Sequence, residues 1–171
     1  MSMQMKYLDA TNLACVIEEA FPLVDMPSSA DLIAPGFSQY NYLAEELERY
    51  RGKEISGDAI RIIHQDLSHL SASAWHWILP HYLRFCLTAE AEYNRMETEF
   101  LIYNLGPDLR FQADVVKRLS QLTNSQISCL IDFLGWCLSQ EYWREYCPDS
   151  IARGIGFLQT VLVDRQHQGH H

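Results

Sequence analysis

Apolar residues recur along most of this chain at intervals of three and four, the period of one face of an α-helix. Leu13, Val16, Ile17, Ala20 and Phe21 form the first such run, and Pro22 stops it because proline has no N–H with which to continue the ladder. Residues 22–37 hold three of the six prolines together with Ser28, Ser29 and Gly36, and predict a long connection, the segment most expected to move. Helical spacing resumes with Tyr40, Leu43, Leu47 and Tyr50 inward and Glu45, Glu46, Glu48 and Arg49 outward, between Ser38 as N-cap and Gly52 as stop. Ser56 opens the next helix, which turns Ile60, Ile63 and Leu67 inward beside His64 and Asp66.

Two stretches are apolar around most of their circumference, and such helices belong inside a fold. The first, Ala74 to Leu87, follows Ser71 and Ser73; it carries Trp75, Ile78, Leu79, Tyr82, Phe85 and Cys86 on one side and His76, Trp77, His81 and Arg84 with Pro80 on the other. The second opens with Thr123 and Gln126 as a capping box, with Ile127, Leu130, Ile131, Leu134 and Leu138 on one side and Cys129, Phe133 and Trp136 opposite. The two are expected to pack on each other. Between them, a helix capped by Thr88 presents Tyr93, Met96, Phe100 and Tyr103 as its stripe and stops at Gly106-Pro107, and Val115, Val116, Leu119 and Leu122 mark a shorter one. The last helix starts near Asp149-Ser150 and turns Ile151, Ile155, Leu158 and Leu162 inward. Its Gly154 and Gly156, each costing ~1 kcal/mol relative to alanine, predict close backbone approach.

No alternation of strand type is sustained over six residues, and no solenoid repeat occurs. The pattern therefore predicts an all-α, single-domain bundle over residues 1–163, with seven or eight helices around two buried ones at about 73–87 and 124–140. Residues 164–171 read as a flexible polar tail whose His167, His170 and His171 bind metal only adventitiously.

At 171 residues one core suffices. Thirteen Lys and Arg against 22 Asp and Glu leave a net charge of −9 with no basic cluster, which argues against nucleic acid as a partner, because such binding rests on counterion release by Lys and Arg. Cys15, Cys86, Cys129, Cys137 and Cys147 are odd in number, lack C-x-x-C spacing and read as reduced core residues of a cytoplasmic protein. No apolar run approaches the roughly 18 residues of a membrane span.

The chemistry is sparse. His64 and His69, like His76 and His81, are five apart, which on a helix turns the two rings away from each other, so no metal or other cofactor is implied. Asp66 and His69 share a face, but the paired Glu-x-x-His units of a dinuclear carboxylate site do not occur. Glu92 and Glu99 flank Arg95 at the spacing of a solvated, salt-bridged helix face. Hydrolase and nucleotide motifs are missing, and the reading leans away from an enzyme with no catalytic residue assigned. Two features are candidate binding surfaces. The stripe His76, Trp77, His81 and Arg84 lies where Pro80 should kink its helix and open a pocket for a carboxylate or peptide; otherwise these are satisfied core residues, with Arg84 paired to a Glu of the next helix. Trp136, Tyr142, Trp143 and Tyr146 are the candidate interface, either a core edge or a contact surface.

Leu70 to Leu87, with Ser-Ala-x-Ala-Trp ahead of Ile78-Leu79-Pro80-His81-Tyr82-Leu83, resembles a bacterial family of unknown function whose members carry a turn, a short aromatic segment and a Leu-Pro-x-Tyr-Leu core. Ala20-Phe21-x-Leu23 and Leu119 to Phe133 look like its outer landmarks, a span of roughly residues 12 to 138. The resemblance brings no catalytic residue, and His81 sits at the variable position between Pro80 and Tyr82.

Charge, helical body and aromatic clusters together point to a protein–protein interaction module, such as the immunity-type or regulatory partner of a basic protein. The alternative is a binder or enzyme for a small anionic molecule at the Pro80 turn, with Arg84 holding the anion and His76 or His81 moving a proton. A homodimer through Trp143 and its neighbours is compatible with either.

Overall fold

The computed structural model describes residues 10–169, in which every regular element is helical apart from one isolated antiparallel bridge between Ile33 and Leu70. Ten α-helices follow in order: α1 (Ala10–Ala20), α2 (Asn41–Glu48), α3 (Gly57–Ile63), α4 (Ala72–Cys86), α5 (Ala89–Asn94), α6 (Met96–Leu105), α7 (Gln112–Arg118), α8 (Asn124–Ser139), α9 (Glu141–Tyr146) and α10 (Pro148–Gln168). Short 3₁₀ turns occupy Ser29–Asp31, Ser38–Tyr40, His64–His69 and Leu109–Phe111.

The two buried helices form where the apolar pattern puts them. The Ser71 side chain accepts from the Ala74 amide at 3.0 Å to start α4, and Thr123 and Gln126 exchange both capping-box bonds to start α8. Along α4, Trp75, Ile78, Leu79 and Tyr82 are sealed from solvent, as are Ile127, Leu130, Phe133 and Leu134 along α8. The polar ends of the two α4 aromatics find carbonyls: Trp75 Nε1 donates to Leu67 O at 2.8 Å and Tyr82 Oη to Glu97 O at 2.6 Å. α4 and α8 do not pack chiefly on each other, contrary to expectation. Instead α1 packs on both, through Leu13 and Ile17, and α8 lies chiefly on α10.

The expected seven or eight helices become ten among the described residues, for local reasons. Arg95 adopts φ 66°, ψ −10°, which ends α5 and starts α6 in a new direction. The stripe Tyr93, Met96, Phe100 and Tyr103 is thereby broken: Tyr93 is 94% exposed, and α6 instead buries Glu97, Thr98, Leu101, Ile102 and Leu105. The second addition, α9, lies in the aromatic stretch ahead of Pro148, which itself opens α10 at a position where its missing N–H costs nothing. Ser38 does not cap α2; it begins a 3₁₀ turn, and α2 starts at Asn41 without a side-chain cap.

Residue 164 is not the end of the packed structure. α10 continues to Gln168, and the Arg165 guanidinium donates to Leu122 O at 2.7 Å, Leu119 O at 3.0 Å and Asn124 Oδ1 at 3.1 Å. His170 and His171 lie outside the described residues, as do residues 1–9. Gly154 justifies its place, because a Cβ there would stand 2.9 Å from Leu134 Cδ1 and 3.1 Å from Leu105 O where α10 crosses α6, and a Cβ on its partner Gly106 would stand closer still, 2.5 Å from Ser150 O. Gly156 faces open space, so close approach accounts for only one of the pair.

The connection 21–40 is strapped down. Leu32 and Ile33 are buried, Ala34 N donates to His69 O, and Ser71 N donates to Leu32 O. Arg51 donates to Met26 O and Pro27 O while its guanidinium grips Glu48, which also accepts from Ser29 Oγ at 2.7 Å. These bonds, those from Arg51 first and Ser29 second, hold the Glu48 carboxyl down to about 2 from its ordinary 4.5. A lowered folded-state value contributes stability in full above about 4.5 and loses it as pH falls towards 2. Amide exchange followed by mass spectrometry should therefore show residues 26–31 losing protection across that interval, whereas Glu48→Gln should be poorly protected already at neutral pH and show no such step. Equal protection of the two proteins at neutral pH would contradict the strap.

Candidate functional site

Three of the four residues around the Pro80 turn are half-buried and one is buried. α4 stays helical through Pro80, with Trp77 3% exposed and its ring centroid 6.4 Å from that of His81, edge-on. Burial pushes the His81 imidazole below its ordinary 6.5, and the Arg84 charge adds to this, so the ring is neutral at pH 7. Arg84 does not pair with a Glu of the next helix as expected. It donates to Pro80 O at 3.0 Å and to Phe21 O at 3.1 Å, fastening α4 to the chain as it leaves α1. His76 sits one turn before Pro80, half-buried. These residues line neither the cavity beside α9 nor the one between α6 and α7.

The second candidate cluster is brought together at a cleft. α8 ends where Ser139 Oγ donates to Trp136 O at 2.6 Å, and Gln140, extended at φ −83°, ψ 129°, turns the chain sharply into α9. That corner sets Trp136, Tyr142 and Trp143 against the end of α4, the start of α5 and Arg95, around a cavity of about 860 Å³. Trp143 is buried, while Tyr142 and Tyr146 are exposed and stack with ring centroids 5.5 Å apart. Tyr142 also meets Trp143 edge-on at 4.8 Å. Tyr146 and Tyr103 both donate to Glu99 Oε1, each at 2.9 Å, which anchors α9 to α6.

The residue missed from sequence is Arg95. It does not belong to a solvated face between Glu92 and Glu99; its left-handed backbone swings the side chain into the cleft, where the guanidinium carbon lies 3.8 Å from the centre of the Tyr142 ring. Nothing in the sequence marks an arginine for that conformation, and the preceding Asn94 would be the ordinary choice. The other charged lining is acidic: Glu92, Glu141 and Glu145. Cys86 also borders the cleft, but burial pushes its thiol up to about 12 and keeps it protonated, so it offers no nucleophile. The cleft can hold a cation by ring faces and carboxylates; it has no general base beside an activated nucleophile.

These features define an all-α protein with an aromatic, acid-rimmed cleft near the junction of α8 and α9. The chain belongs to a family of unknown function, DUF6714, which matches residues 9–146 and so spans every residue of that cleft. The matched range contains the roughly 12–138 over which the sequence resembles an uncharacterised family. No curated protein and no solved structure matches the chain. Among the described residues, no helix is long and apolar enough to cross a membrane.

Proposed function

We propose that this protein is an interaction module that receives an arginine or lysine side chain of a basic partner protein in the cleft beside α9, in the manner of an immunity-type or regulatory partner. One observation carries the reading: the cleft already holds a guanidinium, that of Arg95, on the Tyr142 ring, and Glu92, Glu141 and Glu145 are the other charged residues of its lining. A cation over an aromatic face gains about 0.5–2 kcal/mol depending on desolvation. The net charge of −9 would speed encounter with a basic partner. Five unpaired thiols fit action in a reducing, cytoplasmic setting.

The competing small-molecule reading needs Arg84 to hold an anion, and its guanidinium is engaged by two carbonyls. A homodimer would use the exposed Tyr142 and Tyr146, and light scattering separates it from a heterotypic complex. The decisive experiment is capture from the native host at moderate salt with wild type, Tyr142→Ala and Glu141→Lys/Glu145→Lys. A basic protein retained stoichiometrically by wild type, about tenfold more weakly by both variants and competed by an arginine-rich peptide is expected, a loss equivalent to ~1.4 kcal/mol. An acidic partner, or retention unaffected by the variants, defeats the proposal.

A further inference from the structure

A second cavity, of about 630 Å³, lies between the 64–69 turn, α6, α7 and the start of α10, and shares no lining residue with the α9 cleft. Its volume is in the range of small-molecule sites. Phe37, Phe100, Tyr103, Pro107, Phe111 and Val115 supply an apolar, largely aromatic wall. His69 lines it too; its ring is stacked on Tyr40 at 3.7 Å and 13°, and its buried Nδ1 makes no hydrogen bond, lying 3.3 Å from Asp66 Oδ1 in poor geometry.

Arg118 distinguishes this cavity. Arg51, Arg61, Arg84, Arg153 and Arg165 all bond carbonyls or carboxylates, whereas the half-buried Arg118 makes no hydrogen bond or ion pair among the described residues. Burial disfavours its charge, with partial compensation from Asp114 one turn earlier. None of its nitrogens is sealed from water, so its five donors face the cavity solvated and are available to an acceptor bound there. The other charged groups here are Arg153 and Asp108, paired at 3.5 Å, and the exposed Asp114. Two carboxylates at the rim oppose a dianionic phosphate, while one planar monoanion matches one fork of donors.

We propose that this cavity binds a small carboxylic acid with an aromatic or comparably flat apolar body, its carboxylate on Arg118 and its body against the Phe100 and Phe111 wall. This site is independent of the cleft reading and stands or falls separately.

The test uses the full chain with two probes of one shape, 2-naphthoate and the neutral 2-naphthylmethanol, followed by calorimetry and by amide shifts in two-dimensional NMR. Naphthoate should bind saturably at one site, shift the amides of His69, Asn104, Arg118 and Ser150, and weaken about tenfold or more in Arg118→Gln, with the neutral probe little affected. The NMR map needs no variant, so it decides the location even if Arg118→Gln folds poorly. Absence of saturable naphthoate binding, shifts confined to other regions, or equal affinity in folded Arg118→Gln overturns the proposal.

Discussion

Replacing Trp75 with alanine is expected to lower the unfolding free energy by about 3–5 kcal/mol, the usual cost of truncating a fully buried indole. Trp75 does two things at once: its ring fills the centre of the bundle from α4, and its N–H reaches Leu67 O on the 64–69 turn. Trp75→Phe separates them. It keeps most of the ring volume and removes the hydrogen bond, and because Leu67 O still accepts from Leu70 N, the loss should be only about 1–2 kcal/mol. Urea unfolding followed by circular dichroism reads both variants. A loss below about 1 kcal/mol for Trp75→Ala would mean that α4 is not central to the core.

Arg61→Ala is expected to cost about 3 kcal/mol through a residue it touches only from the edge. Glu97, in the first turn of α6, is completely buried, and neither of its carboxylate oxygens has a hydrogen-bond partner. Arg61 Nε, 3.3 Å away, is the cation paired with it. Arg61 also bonds Glu90 and lies 3.3 Å from Asp58, so an intact network balances the buried charge. Without Arg61 the carboxylate stays buried and uncompensated. The side chain of Arg61 is 36% exposed, which admits water and places the effect at the low end of the range for broken buried pairs. Glu97→Gln by itself should change stability by less than about 1 kcal/mol, since Arg61 keeps its other two acids. The double variant should then be more stable than Arg61→Ala. If the two changes simply add, the coupling between these groups does not exist.

The two largest effects fall on residues that differ in how far periodicity reaches them. Trp75 was readable because a helix apolar on nearly every side has only one place to go, and the capping pair Thr123 and Gln126 was readable because both partners lie within one turn. Glu97 was not. It sat in an acidic stretch with the spacing of a solvated face, and its burial follows from the backbone of Arg95, which changes the phase of everything after it. The candidate site divides likewise. Trp136, Tyr142 and Trp143 were marked by residue type, whereas Arg95 over Tyr142, and the carboxylates that share the cleft, arise from the changes of chain direction at Arg95 and Gln140. The stripe around Pro80 shows the converse, since its residue types suggested a receptor while Arg84 acts as a fastener between α4 and the end of α1.

The all-helical class, the two apolar helices, the capping box of the second and the close crossing at Gly154 followed from short-range rules, in which each residue's neighbours three or four places away set its role. Which helix lies between α4 and α8, where the polar tail attaches, and which acids and arginines end up buried, paired or unpaired came only with the assembled chain. Those outcomes depend on contacts between residues far apart in sequence, such as Arg61 with Glu97 or Arg165 with Leu119, and no local period encodes a partner thirty or forty positions away.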